Sequence, residues 1–218
     1  KLGISVLMYP EAGYSLDGRT TTLPRGLGYL AKKLNVPVIM IETDGAFQYQ
    51  PLYNCLKKRK VQVKAKARVL FTPEEAKEMK VADLDRIIDD AFSFDSLRSQ
   101  QEQGIRITEP DRCEGLERVL YKCAACGSET AMSSSGARLY CKDCGAAWTL
   151  SETGALVPEG DTKGFTHVPD WFEYQRSEVM GEITDGSYSF DEAVEIYALK
   201  DYRGLYHIGE GRLTHGRE

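Results

Sequence analysis

Two short cysteine pairs constrain this chain more than any other feature. Cys123-Ala-Ala-Cys126-Gly127 and Cys141-Lys-Asp-Cys144-Gly145 are separated by fourteen residues, close to the spacing at which two ribbon knuckles bring four thiolates to one point. A glycine directly after each pair supplies the positive φ of a tight knuckle and lets backbone N–H groups approach the sulfurs. Four thiolates suit tetrahedral zinc with no open coordination position, the pattern of a structural site. Cys123, Cys126, Cys141 and Cys144 are therefore the expected metal ligands. The competing reading of Cys-x-x-Cys is a redox dithiol, and two matched pairs favour the metal. Met132-Ser-Ser-Ser-Gly136 reads as the turn of the ribbon, with Arg138–Tyr140 and Ala147–Thr149 as its strands. Cys55 and Cys113 lie outside the pattern and read as ordinary thiols.

The same cysteine usage bounds the compartment. Four of six cysteines sit in metal-type pairs, so a secreted disulfide framework gives way to a reducing, cytoplasmic setting. A length of 218 residues accommodates one sizeable core or two small domains. No apolar run approaches the roughly 18 residues of a membrane-spanning helix, and no signal-peptide pattern opens the sequence. The net charge of -5 argues against bulk nucleic-acid binding. Within Cys123–Cys144 the only bases are Arg138 and Lys142, offset by Glu129 and Asp143, so attraction for phosphates is small. One local exception stands out: Lys57, Lys58, Arg59, Lys60, Lys64, Lys66 and Arg68 put seven bases into twelve residues without an acid. Such a run is a solvated sheet edge guarded by lysine, or a contact for anionic lipid headgroups.

Three segments are expected: an α/β part over 1–104, the ribbon over 105–157, and a helix plus β-rich segment over 158–218. In the first, Ile4–Met8 reads as a strand, a turn follows, an amphipathic helix runs to Leu34, and Val36–Ile41 reads as a strand. Val61, Val63, Ala65, Ala67 and Val69 alternate with polar residues, the period of a half-buried strand. Thr72-Pro73-Glu74-Glu75 is a capping box with proline at the first helical position. Val81, Leu84, Ile87, Ile88 and Ala91 mark the next helix. Asp170 and Glu173 open a helix carrying Trp171, Phe172 and Tyr174, and from Tyr188 onward short antiparallel strands are expected. Trp148, Trp171 and Phe172 read as core, and His167, His207 and His215 as structural or solvent-exposed.

One stretch carries a family likeness. Tyr9-Pro10-Glu11-Ala12-Gly13-Tyr14-Ser15 is followed by Leu23-Pro24-Arg25-Gly26, a helix, and a Val36-Pro37-Val38 strand. This order resembles the glycerolipid acyltransferase family, which includes lysophosphatidate acyltransferases and whose third motif reads Phe-Pro-Glu-Gly-Thr-Arg-Ser. Ala12-Gly13 stands here for Gly-Thr, and Tyr14 for Arg. The resemblance covers about the first hundred residues. It implies part of an acyltransferase-type mixed α/β sheet, with transfer of a fatty acyl group from a thioester donor, acyl-CoA or acyl carrier protein, to a glycerolipid acceptor at the membrane surface. By that resemblance Glu11 positions acceptor hydroxyls, and Gly13 and Gly26 let the backbone approach the ligand. Arg19 or Arg25 supplies the phosphate-binding cation. Read without the resemblance, Glu11 is a turn acid stabilised by the local dipole.

The family's His-x4-Asp, the general base and its orienting acid, is absent. None of His167, His207 and His215 has an aspartate five positions later. The expectation is that these residues are the later part of a longer polypeptide, inactive alone, and no catalytic residue is assigned among them. The competing class is a non-catalytic zinc-ribbon scaffold or interaction protein, with nucleic-acid binding less favoured.

Overall fold

In the computed structural model, which describes residues 4–200 and 204–216, the helices begin where the sequence supplies caps or close packing. Helix α1 (Leu27–Leu34) starts from Gly26, held at φ 92°, a conformation that suits glycine. Strand β1 (Val38–Asp44) and strand β2 (Lys64–Phe71) pair antiparallel, with Ile39 opposite Val69 and Ile41 opposite Ala67. Between them lie a short helix α2 (Ala46–Tyr49) and a 3-10 turn at Leu52–Asn54. Helix α3 (Pro73–Glu78) opens with the expected capping box: Thr72 Oγ1 accepts the Glu75 N–H and the Glu75 carboxylate accepts the Thr72 N–H. Helix α4 (Val81–Phe92) buries Leu84 and Ile88 against Ala31, Phe71 and Ala76. Gly28 makes this packing close, because a Cβ there would sit 2.8 Å from the Asp85 backbone nitrogen. Its N–H donates to Asp85 Oδ1 at 2.6 Å. Helix α5 (Ser96–Glu102) is capped by Asp95, which accepts the Arg98 N–H at 2.9 Å.

The cysteine-bearing segment forms a four-stranded antiparallel meander, β3 (Met132–Ser135), β4 (Arg138–Cys141), β5 (Ala147–Leu150) and β6 (Leu156–Pro158), in that order. Leu139, Trp148 and Leu156 are its buried centre. Helix α6 (Val168–Asp185) lays Trp171 onto Trp148 with ring centroids 4.6 Å apart, and aromatic pairs of this kind add to area burial. The chain forms two units, Lys1–Phe172 and Glu173–Glu218. The second holds the later turns of α6 and a hairpin of β7 (Ser189–Lys200) and β8 (Gly204–Gly216).

Several sequence expectations need correction. Ile4–Met8 is irregular and exposed rather than a strand, since apolar residues become a strand only when a neighbour takes their N–H and C=O groups. Met132–Ser135 is a strand rather than a turn; the turn is Gly136, at φ 60°. The alternating run 61–70 becomes β2 at 64–71, yet Lys64–Val69 are exposed on both faces instead of half-buried. The strands after Tyr188 are long, 12 and 13 residues, with one register shift at Ile196/Tyr197. Lys1, where the sequence opens, lies outside the described residues. No helix among the described residues is long and apolar enough to cross a membrane.

Candidate metal centre

Both knuckles fold as glycine-closed turns. The Cys123 N–H donates to Ser128 O at 2.8 Å and the Gly127 N–H returns to Cys123 O at 2.9 Å, with Gly127 at φ 77°. In the second knuckle Cys141 N–H donates to Ala146 O at 2.9 Å and Gly145 N–H to Cys141 O at 3.1 Å, with Gly145 at φ 75°. The two turns face one another. All four ligand sulfurs lie within 4.8 Å of one another, and Cys123–Cys144 and Cys126–Cys141 are 3.8 Å apart. No disulfide joins them. Cys123 and Cys141 are buried while Cys126 and Cys144 are exposed, so the cluster has an inner and an outer side. Burial pushes the Cys123 thiol up to about 12. At Cys141 burial is outweighed by the N–H groups of Cys144 and Asp143, which hold that thiol below its ordinary value. Sulfurs this close cannot all ionise without a cation between them. The donor set therefore fits a metal ion that replaces the thiol protons.

The segment around the sulfurs is firmly anchored. Lys122 O, one residue before Cys123, accepts the Trp171 indole N–H at 2.9 Å. Arg138 pairs with Glu159 at 2.8 Å, and Glu159 also accepts the Thr149 hydroxyl at 2.7 Å. The Thr149 hydrogen bond and the Arg138 pair together hold the Glu159 carboxyl below the usual range, against a small effect of burial.

The residues expected to handle an acceptor fall in one loop and the start of α1. Glu11 Oε1 accepts the Thr21 N–H at 2.9 Å. Gly13 is exposed, and a Cβ there would meet only Glu11 O, at 3.9 Å. Tyr14 points outward. Arg19 is engaged elsewhere: Nε lies 2.9 Å from Asp17 Oδ2, and Nη2 donates to Pro169 O at 2.9 Å. Arg25 is exposed, with no ion pair among the described residues. Beside the Glu11–Thr21 bond runs an open groove of about 360 Å³ lined by Thr20, Thr21, Thr22, Leu23, Asp89 and Ser93. Its walls are hydroxyl-rich and carry no base.

A pairing that sequence inspection missed joins residues 72 apart. His167 Nε2 lies 2.7 Å from Asp95 Oδ2. Burial would raise the Asp95 carboxyl, yet His167 and the Arg98 N–H hold it below the ordinary value. The one local signal available was Asp95 itself, an acid directly before Ser96 that suits a helix cap. His167 is buried, whereas His207 and His215 are exposed on β8.

The basic run is partly neutralised by acids distant in sequence. Lys57 contacts Asp111 at 2.6 Å and Glu114 at 3.5 Å, and Arg68 pairs with Glu42 at 2.6 Å. Arg59 is buried, donating to Tyr53 Oη and to Arg112 O. Lys64 and Lys66 remain exposed, without an ion pair among the described residues.

Comparison of the chain with protein-family models, curated proteins and solved structures finds no match.

Proposed function

We propose that this chain supplies the acceptor-handling loop and a structural zinc ribbon to an acyltransferase that moves a fatty acyl group from a thioester to a glycerol-type hydroxyl. The observation that carries the reading is the order of elements: a Tyr-Pro-Glu loop, then Arg25-Gly26, then α1, then β1. The Glu11 carboxylate accepts the N–H of Thr21, which lines an open, hydroxyl-rich surface groove. A polyol suits those walls. With Arg19 tied to Asp17 and Pro169, Arg25 is the cation free to take a phosphate, in the bidentate manner of a guanidinium. Zinc is the reading of the four sulfurs, because zinc–sulfur bonds of about 2.3 Å place tetrahedral sulfurs about 3.8 Å apart. With four protein ligands such an ion has a folding role. The general base is supplied from outside this sequence, and the protein works in the cytoplasm, peripherally at a membrane.

The test is steady-state acyl transfer by the full-length protein, with acyl-CoA or acyl carrier protein as donor. Arg25→Ala is expected to raise KM for a phosphorylated acceptor, as for a cation that binds ground and transition states alike. Glu11→Gln is expected to lower kcat, as for a hydrogen bond that tightens during attack. Unchanged kinetics in both variants would return Glu11 and Arg25 to the role of turn and helix-start residues. A His-x4-Asp missing from the full reading frame would favour the other reading, a scaffold or interaction protein built around the ribbon. For nucleic-acid binding the ribbon offers little, since Arg138 is held by Glu159.

A further inference from the structure

A run of hydrogen bonds joins the cysteine cluster to the Glu11 loop, more than a hundred residues away in sequence. Lys122 O, next to Cys123, accepts the Trp171 indole N–H at 2.9 Å. Two residues before Trp171, Pro169 O accepts Arg19 Nη2 at 2.9 Å. Arg19 then organises the loop from within. Its Nε and backbone N–H both meet the buried Asp17 carboxylate, at 2.9 and 3.1 Å. Its carbonyl accepts the Ser15 hydroxyl at 2.6 Å, and Ser15 Oγ accepts the Gly18 N–H at 2.9 Å. A second tie runs alongside: His167, just before α6, pairs with Asp95, which forms a β-bridge with Arg19. Trp171 is fully buried between Trp148 and Phe165, so its indole has little freedom to shift. All these groups belong to the Lys1–Phe172 unit.

We propose that the four-cysteine module is a clamp that positions the Glu11 loop. Metal fixes the first knuckle and with it the Lys122 carbonyl; that carbonyl fixes Trp171 and the first turn of α6; and Pro169 O sets Arg19 and the loop over residues 11–21. Buried groups that touch in series transmit such a constraint because close-packed interiors yield little. Arg19 is thereby a positioning residue. The clamp rests on the acceptor-handling reading only for what the loop holds, since the coupling is a property of the chain itself.

Amide hydrogen exchange, read by mass spectrometry over residues 11–21, tests it without any activity measurement. The zinc-loaded and chelator-treated chain are compared for wild type, Arg19→Ala and Trp171→Phe, with peptides from α4 as the internal control. Chelation is expected to speed exchange over 11–21 about tenfold in wild type while α4 stays protected. In zinc-loaded Arg19→Ala the loop is expected to exchange as fast as in chelated wild type, zinc content is expected to stay at one per chain, and chelation is expected to add little more. Trp171→Phe retains a smaller aromatic ring and removes the indole N–H, so it is expected to speed loop exchange several-fold with zinc retained. Loop exchange unmoved by chelation, or fully additive effects of Arg19→Ala and chelation, would overturn the clamp. Should chelation unfold the whole chain, zinc-loaded Trp171→Phe decides: exchange over 11–21 equal to wild type overturns it. Absence of acyl transfer by the unmodified full-length protein would count against the acyltransferase reading and leave these outcomes intact.

Discussion

The β1–β2 hairpin and the cysteine meander are both small antiparallel sheets with alternating residues, yet one is bare and the other has a core. In the hairpin Ile39, Ile41 and Val69 form one apolar face and remain 59%, 54% and 57% exposed. In the meander Leu139 and Trp148 face each other in register and are fully buried. The difference lies in what covers each sheet. Trp171 from α6 and two glycine-closed knuckles seal the meander, whereas nothing among the described residues covers Ile39 and Ile41. A period of two therefore specifies a strand with two faces; burial of either face depends on a partner elsewhere in the fold.

The largest expected effect breaks the meander at its four-cysteine cluster. Structural zinc sites carry apparent binding free energies of about 10–16 kcal/mol in small peptides at pH 7, more than the whole stability of many domains. Chelation, or Cys123→Ser with Cys144→Ser, is expected to release one zinc per chain and to open residues 121–150. Trp148 and Trp171 report this directly, because both are buried beside the cluster: their emission is expected to shift to the red. Unchanged emission after metal removal would mean that packing alone closes the meander. Next in size, Trp148→Ala is expected to cost about 3–5 kcal/mol in urea unfolding, as deletions of buried aromatic rings do. Ile41→Ser on the hairpin is expected to stay within about 0.5 kcal/mol, as for exposed sites. A large loss at Ile41 would show that this face is covered in solution.

A smaller effect concerns the charged face of the hairpin. Lys64, Lys66 and Arg68 alternate with Ala65, Ala67 and Val69, so they share one side of β2. Near an anionic surface each base contributes about 1 kcal/mol, fading over a Debye length of about 8 Å at physiological salt. Arg68 is paired with Glu42. Replacing Lys64 and Lys66 by Gln is accordingly expected to weaken binding to anionic vesicles about thirtyfold at low salt, on the order of 2 kcal/mol, and Arg68→Gln less. Equal binding of wild type to neutral vesicles would remove the surface role of this strand.

Local chemistry was legible in the sequence and distant pairing was not. The knuckle spacing of Cys123–Cys144 and the Thr72–Glu75 capping box each involve a few residues whose geometry the backbone fixes nearby, and both appear as expected. Trp148 and Trp171 read as core because large rings without a basic stripe seldom serve for stacking, and they are buried. Ile4–Met8 misled because an apolar run has no strand partner of its own. The seven-base run looked free of acids only because Asp111, Glu114 and Glu42 are far away in sequence. Arg19 looked like an anion ligand because one of its partners, Pro169, is 150 positions further on, and because its local ion pair with Asp17, two residues away, was overlooked.

The smallest expected effect tests the His167–Asp95 tie beside the meander, through pH. The folded carboxyl of Asp95 is held below its ordinary value, and the unfolded chain has the usual aspartate value of about 3.9. A depressed folded value adds stability that is complete above the unfolded value and disappears as pH falls through the folded one. Wild type is therefore expected to lose this increment below about pH 4. Asp95→Asn serves as the reference, because asparagine caps a helix about as well as aspartate and cannot carry the charge that His167 meets. The cysteine ligands also take up protons in acid, so the readout is the difference between the two proteins in urea unfolding from pH 6 to pH 3. That difference is expected to be constant above about pH 5 and to narrow in acid. A difference that stays constant down to pH 3 would mean that the Asp95 charge contributes nothing, and that His167 is held by packing alone.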